Sequence, residues 1–344
     1  MTKPARGGPI NQHQREVAND LLSQFPDAAT KTLARMAYRD HGSLWTSLDA
    51  CRSYFRTLRG AKGTYHRRAT TDQSHYRDPV QPGDPFKKLP EPKREFEEWL
   101  AIRFEGPIRA LVISDPHIPF YDKPALVCAL RHGQAQKANF ILLNGDICDA
   151  HSISDFVKDP RMKNFPAEIR AVKDFLIALR EMFPRARIVY KLGNHEERFE
   201  RYMFLKAPEL LGIPDFEFSS IFGLADYDIQ LVSERRPIQL GKLNVIHGHE
   251  YTFAISNPVS AARGLFLRAK VHATCGHFHR TSQFSDATLE QDVISTWSAG
   301  ALCDLHPRYN PINSWNHGFQ MVHVDKDGAF EVSNMRIVHG KAYQ

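Results

Sequence analysis

From about Phe96 onward the chain repeats one pattern: a short apolar run stops abruptly and a polar cluster follows. The runs are "RALVIS" (109–114), "FILLN" (140–144), "IVYKL" (188–192), "LNVI" (243–246) and "VHATC" (271–275). Apolar runs this short, rich in β-branched residues, read as strands rather than buried helices. Helical stretches lie between them, which predicts an α/β domain over 96–344. Residues 10–60 carry a helical period instead, with helices expected near 12–24, 28–40 and 46–59. In the last of these, Leu48, Cys51, Phe55 and Leu58 fall at i, i+3, i+7 and i+10 and form one apolar stripe. Residues 64–95 are rich in proline and charge and read as a linker. The organisation expected is a helical module over 1–63, the linker, and the α/β domain.

Composition narrows the setting. The chain has 344 residues, 42% of them hydrophobic, enough for a sizeable core. No apolar run approaches the roughly 18–20 residues of a membrane span. The opening "MTKPARGGPINQHQREV" has no apolar segment of the kind that directs secretion. The five cysteines are scattered and never form C-x-x-C, which argues for a reducing compartment. A cytoplasmic protein without a membrane partner is the expectation. The net charge of +6 is unevenly placed: residues 1–77 hold thirteen Lys/Arg against six Asp/Glu. Arg52, Arg56 and Arg59 fall on the face beside the apolar stripe, and Gly42 separates two helices as in a helix-turn-helix. That combination suits a nucleic-acid contact. A solvated arginine face on a small bundle is the plainer alternative.

Each strand-like run ends in a distinctive cluster. They are Asp115-Pro116-His117, Gly145-Asp146-Ile147-Cys148-Asp149, Gly193-Asn194-His195-Glu196, His247-Gly248-His249 and Gly276-His277-Phe278-His279. Ligands in α/β proteins sit beyond the carboxyl ends of strands, so these groups are expected around one site. The donors are carboxylates, an amide oxygen and imidazoles, with no thiolate. Such a set suits divalent cations, Mn first, with Fe, Zn, Ni or Mg as alternatives. Asp146 has two oxygens with which to bridge a pair. Two divalent cations against Asp115 and Asp146 leave residual positive charge that attracts a phosphate.

D-x-H, G-D-x-x-D, G-N-H-E, H-G-H and G-H-x-H in this order resemble the calcineurin-like metallophosphoesterase superfamily, over about residues 107–340. The resemblance implies a four-layer sandwich of two mixed sheets flanked by helices. It implies one cation held by Asp115, His117, Asp146 and His279, and another by Asp146, Asn194, His247 and His277. It further implies His195 as general acid, with Asp149 orienting it, and leaves His249 beside the ligands. Phosphoprotein phosphatases of this superfamily read G-D-x-V-D-R-G, whereas Ala150-His151 follows Asp149 here. The missing arginine argues against a phosphoprotein phosphatase and makes the chain look closer to phage- and plasmid-type members. Arg198 is then the first residue to consider as a phosphate grip, with His151 and His249 also candidates for substrate contact. Tyr309 and Trp315 could stack on a base, or be buried structural aromatics.

The expected activity is hydrolysis of phosphodiesters, nucleic acid first, by metal-activated water and a His acid. The alternatives are a small-molecule or nucleotide phosphodiesterase or phosphomonoesterase whose N-terminal module serves oligomerisation, and a non-catalytic DNA-binding regulator. The oligomeric state stays open, a homodimer included.

Overall fold

The computed structural model describes residues 12–59, 85–93, 100–155, 161, 164–233, 235–251 and 260–344. The chain divides into two compact units, residues 1–95 and 96–344. Most of the expected linker, and residues 156–160 and 162–163 of the polar stretch after Asp149, lie outside the described residues. Within 85–93 the chain makes a 3-10 turn, Pro85–Lys88.

In the first unit, helices α1 (Gln12–Gln24), α2 (Thr30–His41) and α3 (Leu48–Arg59) each contribute residues one turn apart to a small core. Ala18 and Leu22, Leu33 and Ala37, and Cys51 and Phe55 meet there with Trp45. This spacing puts them on one face of each helix. Ser47 starts α3 by accepting the Ala50 N–H on its hydroxyl. Gly42 has helical φ of −54°, and a Cβ there would meet nothing within 4 Å. The turn therefore does not require glycine. Arg59 departs from the expected arginine face. Its guanidinium donates to the carbonyls of Phe25, Pro26 and Ala28, closing the α1–α2 turn. Arg52 and Arg56 remain exposed.

The second unit holds two sheets. One runs β13-β12-β11-β2-β3-β4-β5 and the other β1-β6-β7-β8-β10-β9. In the first, β2 (Ile108–Ile113), β3 (Phe140–Asn144), β4 (Arg187–Lys191) and β5 (Ile229–Val232) are parallel. β11 (Gly318–Val324), β12 (Phe330–Val338) and β13 (Lys341–Tyr343) extend it antiparallel. The second sheet contains β1 (Ile102–Phe104), β6 (Ile238–Leu240), β7 (Leu243–Val245), β8 (Ala273–Cys275), β9 (Ser282–Ala287) and β10 (Val293–Ser298).

The period of two decides the layers. Ala110, Val112, Phe140, Leu142, Val189 and Val322 face Ile238, Leu240, Leu243, Val245 and Trp297 of the other sheet. The alternate residues Leu111, Ile113, Ile141, Leu143, Ile188 and Tyr190 face helices α4 (Lys123–Ala135) and α5 (Phe165–Met182) through Ala129, Leu130, Val172 and Leu176. Helices α6 (Glu197–Lys206) and α7 (Phe218–Phe222) add Phe199 and Phe222 to the same layer. Helix α8 (Ala261–Ala269) covers the outer face of the second sheet, where Leu265 meets Ala273 and Cys275. Strands buried on both faces carry no polar alternation, which is why the runs read as unbroken apolar segments. The result is a helix–sheet–sheet–helix sandwich. In-register pairing sets Ile113 beside Leu143, and Asn144 beside Lys191, so these strands end on one rim.

Candidate metal centre

Parallel registration brings the clusters after β2, β3 and β4 together, and those after β7 and β8 reach the same place from the other sheet. Asp115, His117, Asp146, Asp149, His247 and His279 are buried, while Asn194, His195 and His277 are half-buried. Asp115, His117, Asp146, His277 and His279 all have φ between +50° and +63°. Non-glycine residues rarely adopt this conformation, and it is held here by the surrounding loops. Gly193 and Gly276 serve by clearance. A Cβ at 193 would lie 2.3 Å from Asp146 Oδ1, and one at 276 would lie 2.6 Å from Asp115 Oδ2.

Two donor groups share Asp146. In one, Asp115, His117 and Asp146 offer ligand atoms within 4.8 Å of one another; in the other, Asp146, His247 and His277 do so. His279 Nε2 lies 3.1 Å from both Asp115 Oδ1 and His117 Nε2. His117 Nε2 is 3.9 Å from Asp115 Oδ1 and from Asp146 Oδ2. His247 Nε2 is 3.3 Å from Asp146 Oδ2 and from Asn194 Oδ1. Ligand atoms each about 2.0–2.2 Å from one cation stand about 3–4 Å apart, the spacing found here.

Tautomers point the same way. His247 Nδ1 donates to the Asn144 carbonyl at 2.7 Å, and His117 Nδ1 donates to Asp149 Oδ1 at 2.9 Å. Their Nε2 atoms then face carboxylate and amide oxygens and the His279 ring, an arrangement that calls for positive charge among them. Burial alone would lower the His247 imidazole, but Asp146, then Asp115 and Glu250, push it up to about 10. The two buried carboxylates thus draw in a proton where a cation would otherwise serve. Burial, with His247 beside it, holds His277 down at about 4, which leaves that ring a neutral donor. The donor set fits divalent metal.

His195 Nδ1 lies 2.9 Å from the Asp149 carbonyl and 3.1 Å from Asp149 Oδ1, and Nε2 is 3.8 Å from Asp146 Oδ2. Burial would raise the Asp149 carboxyl, yet hydrogen bonds from His117 and His195 hold it well below the usual carboxylate range. Arg198 does not project as a free phosphate grip. At the start of α6, it donates to the Asp149 carbonyl and to His195 Nε2, both at 2.8 Å. His249 turns from the ligands to Glu197, with 2.7 Å between Nε2 and Oε1, and Arg235 grips the same carboxylate. His151 Nδ1 stands 3.7 Å from Asp149 Oδ2, and its ring meets the Phe120 edge. Arg201 pairs with Asp155 on the surface. Trp315 edges onto His279, while Tyr309 is 74% exposed rather than buried.

Sequence reasoning missed four residues. Glu196 is buried and accepts from the N–H groups of Asp146, Ile147, Cys148 and Gly193 and from the Tyr190 hydroxyl. It ties the loop after β3 to the loop after β4. Glu250 accepts from His247 N and Gly248 N and pairs with Lys191 Nζ at 2.9 Å, binding β4 to the other sheet's loop. The fourth is Cys303, whose thiol joins His117 and His279 in a third group of possible donors, outside the oxygen and nitrogen donors of the motifs. Burial, with the Asp115 charge, pushes that thiol well up.

The Lys191–Glu250 pair carries a pH signature. Burial would raise the Glu250 carboxyl, but Lys191, then His249 and His247, outweigh it and hold it at about 2. Its stabilisation is present above the unfolded value near 4.5 and is lost as pH falls toward 2. Acid titration of denaturant stability is expected to lose up to about 3 kcal/mol across that window. Lys191→Met is expected to cost about 3–5 kcal/mol at neutral pH by stranding the buried carboxylate, with Glu250→Gln in addition recovering part of it. Equal stability of wild type and Lys191→Met at neutral pH would contradict this.

The calcineurin-like phosphoesterase family matches residues 108–311. The chain is also similar to the Gene 54 proteins of Mycobacterium phages L5 and D29. Identity is 24% over 230 residues for L5 and 25% over 232 for D29, each covering 63% of this chain and 89% of the relative. Among solved structures, a single mutant of Vps29 from Entamoeba histolytica is similar at 14% identity. That match covers 69% of this chain and 96% of that one, at a TM-score of 0.37.

Proposed function

The chain belongs to the calcineurin-like phosphoesterase family, and from that premise we propose that it hydrolyses phosphodiester bonds, with nucleic acid as substrate. The observation that carries the hydrolytic reading is Asp146 standing between two donor groups, with His195 beside it. Asp115, His117, Asp146 and His279 would hold one divalent cation, and Asp146, Asn194, His247 and His277 the other. When bound, such a pair activates water, polarises the phosphoryl oxygens and clamps an in-line displacement. Manganese leads for the oxygen and nitrogen donors.

The chain's own groups do the rest. Asn194 contributes a neutral oxygen, so the cationic charge available to phosphate is not cancelled. His195 holds the proton for the leaving alkoxide, a poor leaving group until protonated. Burial would lower its imidazole, but Asp146 and then Asp149 raise it, favouring the charged acid. Asp149 fixes the ring through Nδ1, which leaves Nε2 as the donating atom. Arg198 now donates to Nε2, so proton delivery requires that guanidinium to move aside and Nε2 to take up a proton, and a substrate phosphate is the anion suited to draw Arg198 away.

Nucleic acid is favoured by the basic N-terminal unit with Arg52 and Arg56 exposed, and by exposed Tyr309 near Trp315 (ring centroids 6.4 Å). Double replacement Arg52→Ala/Arg56→Ala is expected to weaken DNA binding uniformly across sequences. The salt slope should fall by about one for each phosphate no longer neutralised. Arg59→Ala is expected instead to lower the stability of the helical unit. Unchanged affinity and slope in the double variant would remove this unit from the DNA interface. The reading is tested with metal-loaded protein on a chromogenic diester, a monoester and single- and double-stranded DNA. Monoester turnover above diester turnover, with intact DNA, would favour a small-molecule phosphoesterase.

A further inference from the structure

Cys303 lies outside every motif that marks the centre, yet it is buried in a group with His117 and His279. Ligand atoms of the three lie within 4.8 Å of one another. Among the described residues, no other cysteine joins such a group. The placement is fixed on both sides. Leu302 N–H donates to the Asp115 carbonyl at 3.1 Å, and Asp304 N–H donates to the Phe120 carbonyl at 2.9 Å. His317 Nε2 donates to the Cys303 carbonyl at 2.9 Å. Cys303 is therefore locked to the loop that carries Asp115 and His117. A second observation points to a ligand here. His279 is buried, and its Nδ1 has no hydrogen-bond partner among the described residues. Buried ring nitrogens are normally satisfied, and in a metal-holding histidine the second nitrogen is normally held by a hydrogen bond. This ring instead keeps Nδ1 uncommitted, in a residue that shares its donor group with the Cys303 thiol.

We infer that Cys303 supplies a sulfur ligand to the cation that His117 and His279 hold. The inference rests on the metal-centre reading above. On binding, the S–H bond is replaced by a sulfur–cation bond, and one proton leaves to solvent. Sulfur is a soft donor, so its presence moves the preference of that position toward Zn or Fe and away from Mg or Mn. The centre would then hold two unlike cation positions, one with sulfur and one with oxygen and imidazole donors only.

Cobalt(II) distinguishes the possibilities, because it reports occupancy and sulfur ligation separately. Full-length protein is stripped with chelator and titrated with cobalt(II), and zinc affinity is measured in parallel. The expected result is visible d–d absorption accompanied by a near-ultraviolet sulfur-to-cobalt charge-transfer band. In Cys303→Ser and Cys303→Ala the charge-transfer band disappears while d–d absorption stays. Zinc affinity is expected to fall roughly tenfold to a hundredfold in both variants. Cobalt bound by wild type with d–d absorption and no charge-transfer band would overturn the inference alone, and so would a band that survives both substitutions. Failure of wild type to bind cobalt would overturn the metal-centre reading itself.

Discussion

Asp146→Asn is expected to reduce phosphodiester turnover by about a thousandfold or more, because it weakens both cation positions at once. The substitution keeps shape and removes the charge from the one carboxylate common to both donor groups. Cation-assisted stabilisation of the transition state is worth several kcal/mol, and each 1.36 kcal/mol is about tenfold in rate. Metal titration should show weakened binding at both positions. His195→Gln provides the contrast. It should lower turnover by about 10²–10⁴-fold, the range for a positioned proton donor, with cation stoichiometry unchanged. The two variants therefore separate holding the cations from delivering the proton. Equal metal loss in both would mean that His195 is a ligand rather than an acid. Wild-type turnover in Asp146→Asn would remove Asp146 from the centre.

Glu196→Ala is expected to cause the largest loss of stability. The carboxylate takes four backbone N–H groups and the Tyr190 hydroxyl, all buried with it. Its removal leaves those donors without acceptors, at about 1–3 kcal/mol for each one that water cannot reach. Even with partial relaxation, a loss of about 4 kcal/mol or more is expected, against total stabilities of about 5–15 kcal/mol. Glu196→Gln should not rescue it. Oε1 accepts from Ile147 and Cys148, and Oε2 from Asp146 and Gly193. Whichever way the amide turns, its NH₂ meets at least two N–H groups. Denaturant unfolding measures this directly, and a change within about 1 kcal/mol for Glu196→Ala would contradict it.

The contrast between Asp146 and Glu196 shows what the sequence makes legible. Asp146 follows an unbroken apolar run and a glycine, so its place at a strand end can be read from hydrophobic pattern alone. Asn194 and His277 likewise follow a run and a glycine, and Asp115 and His247 close their runs without one. The five strands that carry these clusters, β2, β3, β4, β7 and β8, were legible as short apolar runs with sharp ends, whereas the more exposed strands such as β9 were not. Glu196 stands within G-N-H-E, yet three of its partners are backbone N–H groups nearly fifty positions earlier, and such bonds leave no periodic trace. A buried acid next to a donor-rich turn was the available signal. Glu250 follows H-G-H in the same way, with Lys191 as a charged residue closing an apolar strand. Cys303 follows no motif and reaches the centre only because Leu302 and Asp304 pair with the loop after β2. Arg59 looked like its neighbours Arg52 and Arg56 by spacing. Only the path of the α1–α2 turn shows that its guanidinium is already engaged.

If this centre is a divalent-metal phosphodiesterase, its activity must follow its cations. The most direct measurement is turnover of a chromogenic phosphodiester and the matching monoester by chelator-stripped protein, before and after titration with Mn, Zn or Fe. No turnover is expected in stripped protein, with recovery of diester hydrolysis as two cations bind per chain. Diester turnover should exceed monoester turnover. Metal-independent hydrolysis, or no hydrolysis of either ester with both cations bound, would contradict a metal-dependent phosphodiesterase.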